Sequence, residues 1–212
     1  RHAVEFAEYV LASQRTIPIQ DKDHLSGFFY RNHEQKIITH FNHQSRDQIY
    51  MQSLIALCET QPEHIYYNKW KKAIELYAGY LKSITRYSHP YRMIPSGIYH
   101  IGEAKDNTSF YAQHLFPGEQ AVNDYTRQLE NGIRLDKEHY LRIFPVWFSF
   151  RGNTAIHLAT GKAAALCGNF LNDRELKEIA EDQLRWTVGK NPFGQSLMYG
   201  EGDRYAQQYA AL

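Results

Sequence analysis

Residues 189–202 read Gly-Lys-Asn-Pro-Phe-Gly-Gln-Ser-Leu-Met-Tyr-Gly-Glu-Gly. Four glycines and a proline in fourteen residues exclude a helix here. The run before it, residues 173–188, spaces Leu176, Ile179, Ala180, Leu184 and Val188 as one face of a helix would. Gly189 stands where a helix-ending glycine belongs, and Pro192 forbids the helix from resuming. A helix therefore delivers the chain into a shaped loop carrying Lys190, Asn191, Gln195, Ser196, Tyr199 and Glu201. Those side chains suit a sugar, which presents many hydroxyls and flat apolar faces. They would equally suit a tight connection with solvated polar groups.

Upstream, helical patterns alternate with irregular stretches. Residues 1–14 carry Ala3, Val4, Ala7, Val10 and Leu11 on one stripe. Residues 25–30 and 36–41 are β-prone and read as a hairpin. Ser45, with Gln48 three residues on, reads as a capping box opening a helix that ends before Pro62. The next helix spans about residues 63–86, with Tyr66, Trp70, Ala73, Ile74, Tyr77, Leu81 and Ile84 on its apolar stripe. A short helix is expected at 119–130, between irregular stretches at 87–118 and 131–152. Either the extended run 139–150 crosses the fold, or the 119–130 helix belongs to an insertion. A helix rich in Ala and Gly starts at Asn153 or Thr154, and the last is capped by Asn172 or Asp173 with Glu175 bonding back. Connections of about two or three residues make residues 45–86 and 153–188 two antiparallel helical hairpins. In a ring of such hairpins the tight turns share one face and the long loops the other. The long-loop face is the one expected to bind.

Composition narrows the function classes. The net charge of +1 encodes no pull toward nucleic acid or an anionic membrane. No apolar run is long enough to span a bilayer. The two cysteines, Cys58 and Cys167, sit in apolar helical patterns and read as buried free thiols. The histidines show no His-Glu-x-x-His spacing, so no metal is expected, and no Gly-rich phosphate loop or Gly-x-Ser-x-Gly elbow occurs, so no nucleotide cofactor and no α/β-hydrolase.

Four groups on the presumed loop face could bind a sugar. His43, Arg46 and Asp47 stand at the start of the second helix, whose N-terminus is electropositive. Tyr91, Arg92 and Tyr99 lie in a loop fixed by prolines, with Tyr91 or Tyr99 able to stack on a pyranose and Arg92 to donate hydrogen bonds. Trp147 reads as a platform beside Arg151 and Asn153 at a helix start. Asn191, Gln195 and Tyr199 complete the set, and Glu201 is the candidate catalytic acid or base. In each group the plainer reading is a cap, a core aromatic or a surface charge.

The spacing of Trp186, Gly189, Asn191-Pro192, Gly194, Ser196, Gly200 and Gly202 resembles the late motif of family-9 glycoside hydrolases. More loosely, the chain is similar to the six-hairpin glycosidase group and its exported allies. The resemblance implies an all-α, (α/α)-toroid fold, of which this single partial domain holds about half the helices. It implies hydrolysis of a glycosidic bond by two carboxylates. It also implies export, with the remainder of a parent chain as partner. The family's base lies in an Asp-Ala-Gly-Asp type motif that is missing here, and its acid lies well beyond the Gly-x-Gly turn. The chain is therefore expected to hold the substrate-binding part and to show little glycosidase activity alone. Two rivals stand beside this reading: a polysaccharide lyase or sugar epimerase on the same fold, and a non-catalytic helical-repeat binding module.

Overall fold

The computed structural model describes residues 2–39, 47–106, 118–145 and 153–207. Seven α-helices and a three-stranded sheet occur among them. They run α1 (His2–Ala12), α2 (Asp47–Thr60), α3 (Tyr67–Thr85), β1 (Gly97–His100), α4 (Glu103–Asp106), α5 (Gly118–Glu130), β2 (Ile133–Arg134), β3 (His139–Arg142), α6 (Asn153–Phe170) and α7 (Arg174–Thr187). The protein is mostly helical. No helix among the described residues is long and apolar enough to cross a membrane.

The main core is built by α2, α3, α6 and α7, with α1 and residues 19–38 laid over them. Trp70, Ile74, Tyr77 and Leu81 of α3 are fully buried, as their spacing predicts. Helices α6 and α7 run antiparallel. Gly168 faces Lys177, Gly161 faces Gln183, and His157 meets both Gln183 and Trp186, so one residue number falls as the other rises. The small residues of α6 permit this approach, since a side chain at Gly161 would come within 3.0 Å of Gln183 Cγ. Cys58 and Cys167 are free and buried, and burial pushes their thiols up to about 11 and about 12.

Several expectations need correction. The helix expected from residue 63 begins at Tyr67, so six residues, 61–66, join it to α2. The 25–30/36–41 hairpin reduces to one bridge, between Tyr30 and Ile38. Asp173 caps α7 by accepting from Leu176 N–H at 3.1 Å, but Glu175 does not bond back: Lys82 Nζ donates to Asp173 at 2.7 Å and lies 3.9 Å from Glu175. The Lys82 hydrogen bond is the main reason the Asp173 carboxyl is held below its usual range. The two short connections do not share a face. Residues 171–173 lie over the C-terminal half of α3 at Lys82, about 22 Å along that helix from its start. Finally, Leu184 and Val188 of the expected α7 stripe are 60 % exposed, while Gln183 and Trp186 turn inward. Of the run 139–150, residues 146–150 lie outside the described residues, and the described part forms β3. β3 pairs antiparallel with both β1 and β2, and α5 packs on this sheet with its own cluster of Tyr99, Ala104, Ala121, Tyr125, Leu129 and Tyr140.

Gly27 fixes the overlay on α3. Its φ is +95°, and a Cβ there would stand 2.2 Å from the Leu76 carbonyl oxygen. We expect Gly27→Ala to cost about 3 kcal/mol or more in urea unfolding, because both the strained backbone and the clash act. A loss below about 1 kcal/mol would contradict the packing described.

Candidate functional site

The C-terminus of α7 ends as the glycine pattern predicts. Gly189, at φ +117°, donates to the Trp186 carbonyl at 3.3 Å, and Lys190 N–H donates to the Arg185 carbonyl at 2.9 Å. This is the paired bonding of a Schellman motif. The loop beyond it is held by Asn191, which is 4 % exposed. Asn191 Nδ2 donates to the carbonyls of Trp186 and Gln195, both at 2.8 Å. Its Oδ1 accepts from Phe193 N–H at 3.1 Å and from Gln195 N–H at 3.4 Å. An amide has two donor hydrogens and one acceptor oxygen, so Asn191 has nothing left for a ligand. Its assignment as a sugar ligand is corrected to loop architecture. Leu197 N–H donates to the Thr187 carbonyl at 2.8 Å, and Ser196 bridges Tyr205. Gln195 is half-buried, while Tyr199 and Glu201 are exposed toward the tip of the 196–205 loop. The Tyr199 ring meets Tyr205 edge-on at 5.6 Å.

The loop after α3 reaches the same end by running along α7. Arg92 lies 3.5 Å from the buried Asp182 carboxylate and 3.7 Å from Glu178. Asp182 also receives Arg185 and Lys190, each at 3.1 Å. Arg92 thus pins its loop to the helix, and its side chain serves that ion pair rather than an open cleft. Tyr91 is half-buried, edge-on to Trp186 with centroids 6.0 Å apart. Tyr91 meets the Trp186 ring, and Met93, Ile94 and Leu197 line one cavity with it, so the two loops meet there. His43, Arg46, Trp147 and Arg151 lie outside the described residues. Asp47 and Asn153 are described only as the first positions of α2 and α6.

Two residues that the sequence reading passed over join these segments. Gln183, fully buried, accepts at Oε1 from Ile94 N–H at 2.7 Å and faces His157 Nε2 at 2.6 Å. Its Nε2 donates to the carbonyls of Arg92 and Ile179. Carbonyls only accept, so the amide orientation is fixed by its partners. His157 Nε2 must then carry the hydrogen, which leaves Nδ1 as the lone-pair nitrogen of a neutral ring. Burial pushes the imidazole below its usual range, with the Gln183 bond opposing in part. The signal was present in spacing: His157 follows Asn153 by one helical turn, and Gln183 precedes Trp186 by one.

His157 lines a cavity of about 130 Å³ with Trp186, Phe144, Leu197, Met93 and Thr154, further walled by Ile94, Ile143 and Pro145. The cavity lies where α6 begins, α7 ends, β3 leaves the sheet and the two loops meet. Its described walls are largely apolar, with His157 and Thr154 as their polar members. Among the described residues no cluster of His, Cys, Asp and Glu could hold a metal ion. No family model matches the chain, and no curated protein and no solved structure matches it.

Two results follow from this geometry. Gln183→Leu should cost about 2–4 kcal/mol in chemical denaturation, because it strands buried partners on both sides; a neutral outcome would show that the node is not closed. In an NMR titration His157 should titrate below the ordinary histidine value of about 6.5. With its folded pKa lowered, protonation of the unfolded chain withdraws stability as pH falls through about 6.5. Protonation of His157 above that pH would contradict its burial.

Proposed function

We propose that the chain is the substrate-binding part of a glycoside-hydrolase-type domain, binding a poly- or oligosaccharide at the end of the α6–α7 hairpin. The observation that carries the reading is that the Trp186 ring meets Tyr91 edge-on and lines one cavity together with Leu197 of the 189–202 loop. A half-exposed aromatic ring beside an apolar hollow suits a pyranose, which stacks through its C–H face and hydrogen-bonds at its rim. The resemblance of the Trp186–Gly202 spacing to family-9 enzymes supports the same class. We infer further that the α2–α3 and α6–α7 hairpins are members of an (α/α)-toroid. Their mutual packing supports this, whereas the offset of their turns is an irregularity that the ring would have to absorb.

Binding is favoured over turnover as this chain's own contribution. Glycoside hydrolysis uses two carboxyl groups about 5–10 Å apart across the scissile bond. Asp182 beside Trp186 is occupied by Arg92, Arg185 and Lys190. Glu201 is the exposed carboxylate of the loop and the candidate acid or base.

A panel of oligosaccharides and aryl glycosides, read by calorimetry and by product release, tests this. We expect binding with little turnover, and Tyr91→Ala should weaken binding about three- to tenfold through loss of the aromatic contact. Turnover abolished by Glu201→Gln would make Glu201 catalytic and overturn the division between binding and catalysis. Failure to bind any sugar would overturn the functional class.

A further inference from the structure

We propose that the His157 cavity is a subsite for the acetamido group of an N-acetylated sugar, an inference that rests on the sugar-binding reading above. The cavity's chemistry selects this group. One wall is His157, buried at 5 % exposure, whose Nε2 is committed to Gln183 and whose Nδ1 has no partner among the described residues. Nδ1 is therefore an acceptor waiting for a donor hydrogen. Thr154 supplies the one hydroxyl among the described lining residues, and Trp186, Phe144, Leu197 and Met93 supply apolar contact. An acetamido group offers the complement: one N–H donor, one carbonyl acceptor and one methyl.

Size and charge point the same way. About 130 Å³ has room for a small substituent of a few heavy atoms, such as the acetamido group. None of the described lining residues is a lysine, an arginine or an acid, so none of them would offer a counter-charge to a buried uronate carboxylate. A bare ring hydroxyl would leave most of the apolar wall unfilled and forfeit its contacts. An amine, cationic at neutral pH, would bring a charge into the same apolar hollow. In the bound arrangement the sugar's N–H donates to His157 Nδ1, the Thr154 hydroxyl donates to the acetyl oxygen, and the methyl lies on the Trp186 side.

Calorimetry on the full 212-residue chain compares chitotriose, cellotriose, the deacetylated glucosamine trimer and sialyllactose. The acetamido ligand should bind about tenfold or more tighter than its hydroxyl and amine counterparts, one buried hydrogen bond plus methyl burial being enough for that factor. Chitotriose and sialyllactose separate a 2-acetamido hexose from a sialic acid as the source of the group. The Nδ1 resonance of His157 should move on adding the preferred ligand and stay put with cellotriose. Thr154→Val, at the first turn of α6, should reduce the preference a few-fold. His157→Phe should abolish it, with circular dichroism to confirm folding. Equal binding of acetylated and non-acetylated trimers overturns the subsite and leaves the sugar-binding reading standing. Binding of no sugar at all overturns both. An acetamido preference that survives in folded Thr154→Val and His157→Phe, with a silent Nδ1, also overturns it.

Discussion

One buried amide, that of Gln183, ties together the parts of this chain that would otherwise meet only loosely. It joins α7 to the backbone of the 92–94 loop and to the His157 ring of α6, and both of its ends are fully used. An unsatisfied amide in such a place costs about as much as several good contacts return, so the position tolerates only a side chain of this shape and polarity. Through it the loop after α3 gains a fixed course along α7, reinforced outside by the Arg92–Asp182 pair. Tyr91 is thereby brought to Trp186, and the His157 ring is held with Nε2 against Gln183.

The second constraint is the closure of the 189–202 loop upon itself. Gly189 turns the chain at a positive φ, and Asn191 satisfies four polar atoms that would otherwise need water. The loop is rigid at its base and offers its tip, with Tyr199 and Glu201, to solvent. A rigid base lowers the ordering cost of any ligand that meets it. The side chains that make the loop rigid are for that reason the ones that cannot also hold a sugar.

Much of the fold was legible because it is written in local chemistry. The α3 stripe, the Asp173 cap and the Gly189 ending each depend on a few neighbouring residues. What was not legible depends on distant partners. Hydropathy placed Leu184 and Val188 inward, but Gln183 took the inward place because Ile94, far away in sequence, needed an acceptor. Composition made Asn191 and Arg92 look available, yet their bonding capacity is used by the loop and by Asp182. His157 passed unnoticed because a lone histidine in a small-residue helix gives no pattern; only the approach of α7 gives it a role. The loops after α3 and α7 meet at Trp186, but not for the reason the hairpin argument gave, since the turns were expected on one face and lie apart.

The central claim is that the end of the α6–α7 hairpin is where this protein meets a carbohydrate. The most direct test is to follow the tryptophan indole N–H resonances while oligosaccharide is added. Trp186 stands at the cavity, and Trp70 is fully buried in the helical core at another place in the fold. The account predicts that the Trp186 resonance shifts in a saturable way while Trp70 does not move. A saturable shift at Trp70 with Trp186 unchanged, or no shift at either, would contradict it.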